Sequence, residues 1–162
     1  MTFRLFLMVF LSFLIASLLQ FLPVPDALNP WVPQWVALVT IYWALVLDER
    51  FSLILPCFIG LCLDVMNGAM LGLHALALLW LSFIVLKNAR QLRRAGRIQQ
   101  MVEVGLLMFG YQFIVFAIQG LIGQRLDDWT YFIASASSTI IWPWVSIILD
   151  DACQRFVGLK EE

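Results

Sequence analysis

The chain has 162 residues, of which 62% are hydrophobic and only 13% charged, with a formal net charge of −1 and a mean hydropathy of +0.90. That balance excludes a soluble domain with a polar exterior and identifies an integral membrane protein. Long apolar runs broken by short clusters of charge, proline or glycine make helices the spanning elements, and the lack of strand-like alternation excludes a β-barrel.

In chain order the apolar segments are Phe3–Leu22, Trp31–Leu47, Phe51–Met66, Ala69–Leu86, Met101–Ile122 and Trp129–Leu149, forming one transmembrane domain over the whole chain. The first lacks a small-x-small cleavage site after it and reads as a retained helix, not a signal peptide. Pro23, Pro25, Pro30 and Pro33 crowd the loop that follows, where they cannot interrupt a helix. The second, third and fourth segments have 16 to 18 residues, short enough that tilted or re-entrant arrangements, or five full spans, stay open. Merging the third and fourth would give a helix of about 54 Å, far beyond a hydrocarbon core of roughly 30 Å. The chain therefore turns at Asn67-Gly68.

Residues 60 to 76, GLCLDVMNGAMLGLHAL, place Asp64 and the only histidine, His74, among Gly60, Gly68 and Gly72. Two readings of Asp64 stand at this level. It is an interfacial acid that accepts hydrogen bonds from free N–H groups at the start of the next helix, or it faces the bundle and pairs with His74 or another polar group. The glycines allow close backbone approach in either case. Pro56 in the third segment and Pro143, between Trp142 and Trp144 in the sixth, each free a backbone carbonyl that a neighbour must satisfy. Trp31, Trp35, Trp129, Trp142 and Trp144 suit the headgroup zone.

The stretch KNARQLRRAGR carries Lys87, Arg90, Arg93, Arg94 and Arg97 and no acid. With six spans and a cytoplasmic N-terminus, nine of the ten Lys and Arg residues lie on the cytoplasmic side and only Arg125 lies outside. Beyond setting topology, the stretch is suited to anionic lipid or an acidic cytoplasmic partner, and no nucleic acid is needed to explain it. Glu103 is expected to pair with Arg97 or a neighbouring cation. The three cysteines contain no CxxC pair, one histidine and one embedded aspartate fall short of a metal site, and no serine sits in a nucleophile elbow. No cofactor and no enzyme chemistry are expected.

The order Pro33-x-Trp35, Tyr42-Trp43, then Gly60-x-x-x-Asp64-x-x-x-Gly68-x-x-x-Gly72 with Ala75-Leu76, and finally Trp142-Pro143-Trp144, resembles the bacterial rod shape-determining family MreD, of the Gram-negative type, over nearly the whole chain. The resemblance implies an inner-membrane, non-enzymatic scaffold with both termini cytoplasmic. It implies that the scaffold binds the bitopic protein MreC on a lateral groove and, through it, MreB filaments, RodA and the elongation transpeptidase, with self-association permitted. It also implies a compact bundle of about six helices similar to the substrate-binding subunits of energy-coupling-factor transporters. That likeness supplies a rival, a small-molecule transport subunit with a polar pocket built from Asp64, Asn67, His74, Gln112 and Gln119.

Overall fold

The computed structural model describes residues 3–25, 29–123 and 132–157. Within them the chain forms six α-helices and no strand: α1 (Phe3–Gln20), α2 (Trp35–Leu47), α3 (Ile54–Asn67), α4 (Leu73–Arg94), α5 (Arg97–Leu121) and α6 (Ile133–Val157). Arg125, Trp129 and Lys160 lie outside the described residues. Helices α1, α4, α5 and α6 are long and apolar enough to cross a membrane, while α2 and α3 are apolar but shorter.

The helix count agrees with the hydropathy reading, and the boundaries differ instructively. Helix α4 does not end at Leu86; it continues to Arg94, and after Ala95-Gly96 the chain enters α5 at Arg97. The expected basic loop is therefore the last two turns of one helix and the first residue of the next. Apolarity marks where lipid ends, but Lys, Arg and Gln are good helix formers and the backbone does not stop there. Helix α6 likewise runs to Val157 instead of Leu149. Pro56 also needs correction: α3 starts at Ile54, so Pro56 sits in the first turn, where its missing N–H would have no intrahelical partner anyway.

Helix α2 is the axis of the bundle. Eleven of its thirteen residues are buried, as expected of a helix apolar on every side. It packs against α1, α4 and α6. Helix α1 presents Leu5, Val9, Phe13 and Ala16 to this core, a spacing of three and four residues that defines one face. Phe3, Phe6, Phe10 and Leu18 point outward, which suits lipid. Helix α4 is the second organiser, flanked by α2, α3 and α5. Helix α5 seats Gly110 under the Trp80 ring of α4 and Gly105 against Thr139 of α6.

Polar groups pin the axis at its start and in its second half. The backbone N–H of Gln34, just before α2, donates to Ser138 Oγ of α6 at 2.9 Å. Further along, Tyr42 donates its hydroxyl to Asp150 of α6 at 2.8 Å. Next to it Trp43, wholly buried, donates its indole N–H to Ser12 Oγ of α1 at 2.7 Å.

Trp142 is not exposed to a headgroup zone. It is buried in the core near the middle of α6, while Trp144 projects outward from the same stretch. Pro143 lies inside α6, and its carbonyl accepts the Ser146 hydroxyl at 2.9 Å.

Replacing Ser12 by alanine leaves the Trp43 indole N–H without an acceptor in a dry interior. The expected cost is roughly 1–3 kcal/mol, read as a lowered midpoint of thermal unfolding in detergent; Ser12→Thr, which keeps the acceptor, should lose much less.

Candidate functional site

The α3–α4 hairpin gathers most of the residues that the sequence singles out. Helix α3 ends in a Schellman motif: the Gly68 N–H reaches the Val65 carbonyl at 3.3 Å and the Ala69 N–H reaches the Asp64 carbonyl at 3.0 Å. The motif needs a left-handed residue, and Gly68 supplies it at φ 61°, ψ 24°. Gly72 then adopts φ 102° immediately before α4, a value that a side chain opposes strongly.

Helix α4 starts without a capping side chain of its own. Its cap comes from the preceding helix. Asp64 Oδ2 accepts the Gly72 N–H at 2.7 Å, and Oδ1 accepts the His74 N–H at 2.9 Å. The His74 ring adds a third contact, Nδ1 to Oδ1 at 2.8 Å. Facing a carboxylate oxygen, Nδ1 is the ring position that carries the proton. Asp64 is fully buried and the His74 side chain is 18% exposed, so the histidine is the lid over the acid. A buried carboxylate is costly unless its lone pairs are occupied, and three N–H donors at the positive end of a helix dipole occupy them. The two readings of Asp64 thus describe one arrangement: it caps the helix and it contacts the histidine.

Gly60 lies one turn below Asp64 on the same face of α3. A Cβ there would sit 2.3 Å from the Ala75 Cα and 2.6 Å from its N. The two backbones touch, and the small-residue seam is internal to the hairpin. Asn67, by contrast, is exposed. Neither of the two cavities described below is lined by Asp64, Asn67, His74, Gln112 or Gln119.

The basic residues separate into two groups. Lys87, Arg90 and Arg94 repeat at spacings of three and four on the exposed face of α4, and Arg97 follows beyond the turn, also exposed. Arg93 is committed elsewhere. Its guanidinium donates to the Leu45 carbonyl near the end of α2 and lies 3.2 Å from the Asp48 carboxylate. A cation there satisfies an orphan carbonyl and opposes the helix dipole. It also holds Asp48, which is the one non-glycine residue with positive φ among the described residues, at 46°. Glu103 accepts from the side-chain amides of Gln91 and Gln99, each at 3.1 Å, and is joined to no arginine; the expected ion pair is replaced by a polar clasp across the α4–α5 turn.

Beside the Arg93 anchor a mixed polar and apolar cavity of about 660 Å³ opens between α2, α5 and α6, with Arg97, Gln100 and Asp150 among its lining. A second cavity of about 610 Å³, almost wholly apolar, is a lateral groove between α1 and α6 with α2 as its floor. No group of three His, Cys, Asp or Glu residues converges among the described residues. Sequence reading did not find the Arg93–Asp48, Tyr42–Asp150 and Ser12–Trp43 contacts. Each joins residues far apart in the chain, and spacing did not single out Arg93, which lies three residues after Arg90 and four before Arg97.

Asp64→Asn keeps one acceptor oxygen but turns an NH2 group toward a backbone N–H, so it should cost roughly 1–3 kcal/mol, and Asp64→Ala more. Gly60→Ala should be at least as damaging because backbone cannot yield to its Cβ. Gly68→Asn should be nearly neutral, since asparagine tolerates the left-handed region. Thermal unfolding of the four variants in one detergent gives the ranking.

The family model for rod shape-determining protein MreD matches residues 1–151 of the chain. The rod shape-determining protein MreD of Haemophilus influenzae is 29% identical over 137 residues, which cover 85% of this chain and 85% of that protein. No solved structure matches the chain. A helical membrane protein whose hairpin is closed by a buried acid, and whose sequence matches one family model from its first residue to Asp151, belongs to the MreD family of rod shape-determining proteins.

Proposed function

We propose that this protein is a non-enzymatic scaffold of the cell-elongation machinery of the bacterial inner membrane, with both termini cytoplasmic. In this reading it holds the transmembrane helix of MreC and through it couples MreB filaments to RodA and the elongation transpeptidase, so that peptidoglycan synthesis follows a rod. The family match over residues 1–151 carries the proposal; membership supports a role in rod-shape determination, and the partner set extends it.

Two features of the bundle support a scaffold. The Asp64 carboxylate is buried and already accepts three hydrogen bonds, which suits a structural clamp better than a site for a transported ligand or a proton relay. The outer face of α3 is apolar and open, with Ile54, Phe58 and Val65 each more than half exposed. Helix α3 packs chiefly on α4, so a partner helix laid along Ile54, Phe58, Leu61 and Val65 would give α3 a second neighbour. The hairpin's internal seam, already filled by Ala75, is not the docking surface. The Lys87–Arg90–Arg94 stripe and Arg97 face the cytoplasm in this topology and meet anionic lipid or the filament.

Co-purification from native membranes tests both halves. Wild-type protein should bring MreC with it, and Phe58→Ala with Val65→Ala should reduce the recovery several-fold without unfolding the bundle; undiminished recovery would move the docking face away from α3. Replacing Lys87, Arg90, Arg94 and Arg97 together by glutamine, with Arg93 left intact, should spare MreC and weaken filament recruitment. Recovery of an ATPase module or of a bound small molecule would favour the energy-coupling-factor alternative.

A further inference from the structure

The α1–α6 groove lies on a different face from the α3 surface, and it is charged at one end alone. Leu11 and Ile15 of α1, Val39 of α2 and Ile148 of α6 form its apolar length. Ser12 also lines it, but its Oγ donates to the Val9 carbonyl and accepts the Trp43 indole N–H, each at 2.7 Å, so its hydroxyl is already engaged within the bundle. Arg4 at the start of α1 and Arg155 near the end of α6 close the same end, because the two helices run antiparallel beside α2. The lining from Arg4 to Leu19 spans about 22 Å of helix at 1.5 Å per residue. That length exceeds one leaflet of a roughly 30 Å hydrocarbon core.

We propose that this groove is a binding site for an anionic phospholipid of the leaflet that Arg4 and Arg155 face, with an acyl chain lying between α1 and α6 and the phosphate held by the two guanidinium groups. Arg4 has no ion-pair partner among the described residues. Arg155 directs Nε and Nη2 to Asp151 at 3.0 and 2.9 Å, an exposed pair of small worth that leaves other N–H groups of the fork open to a phosphate. Charge selects the occupant. The positive-inside rule brings Lys and Arg to the cytoplasmic end of a partner's transmembrane helix, where they would meet Arg4 and Arg155 as like charges. The cytoplasmic leaflet itself is anionic and attracts arginines that lie near it. An anionic lipid therefore matches both the polarity gradient and the sign. The inference is independent of which protein docks on α3.

The test is native mass spectrometry of the full chain reconstituted from vesicles containing equal phosphatidylglycerol and phosphatidylethanolamine. The expected result is one retained phospholipid with a preference of roughly tenfold for the anionic species, set by the two arginines and reduced by Asp151. Arg4→Gln with Arg155→Gln should abolish the preference while leaving the unfolding midpoint unchanged. Ala152→Trp, which fills the groove from α6, should lower retention of either lipid. Equal retention of both lipids by the wild type, a preference that survives the double substitution, or a protein helix captured in native membranes by a photocrosslinker at Ile15 would each overturn the site. Should Ala152→Trp fail to fold, the arginine pair alone decides, because both side chains lie on the rim.

Discussion

A carboxylate buried between two helices holds this bundle in register. Asp64 joins the last turn of α3 to the first turn of α4 by accepting N–H groups that neither lipid nor the helix itself could satisfy. Helix α4 in turn lies against α2, α3 and α5, so the angle at which it leaves the turn sets the position of half the molecule. The choice of an acid is physical. A neutral cap such as serine offers one oxygen, whereas a carboxylate offers two and is drawn to the helix's positive end. Its burial is tolerable because three N–H donors point at it.

The opposite end of the bundle is held by the reverse arrangement. There a cation, Arg93, meets the carbonyl end of α2 and the strained Asp48. One acid at a helix start and one base at a helix end thus close the two turns around the central helices. Between them the packing is made by small residues: Gly60 against Ala75, Gly105 against Thr139 and Gly110 under Trp80. In a solvent as apolar as the side chains, close approach and satisfied polar groups replace the hydrophobic effect as the source of specificity.

Much of this was legible in the sequence. Hydropathy located six helices, Asn67-Gly68 marked the tightest turn, and the isolation of Asp64 in an apolar run flagged a residue that needed partners. The limits are equally physical. Helix ends were misplaced wherever good helix formers are polar, as from Lys87 to Arg94, because hydropathy reports the solvent and not the backbone. Trp142 looked like a boundary residue because tryptophan serves both boundaries and cores, and only its neighbours on α6 decide between them. Arg93 could not be distinguished from the other arginines until the end of α2 was placed beside it. Glu103 was expected to seek a cation, whereas its two glutamine partners come from α4 and α5 on either side of the turn.

The shortness of two helices bears on the membrane around the protein. At 13 residues α2 is about 20 Å long, but α1, α4 and α6 wall it off from lipid. Helix α3, at 14 residues and about 21 Å, has no such wall on its outer side. A bilayer meeting that face must thin, at a cost of fractions of a kcal/mol for every ångström of mismatch. The deformation is confined to one flank. A neighbour that covered α3 would remove the strained lipid together with the exposed apolar surface, so the membrane itself would favour association on the hairpin side.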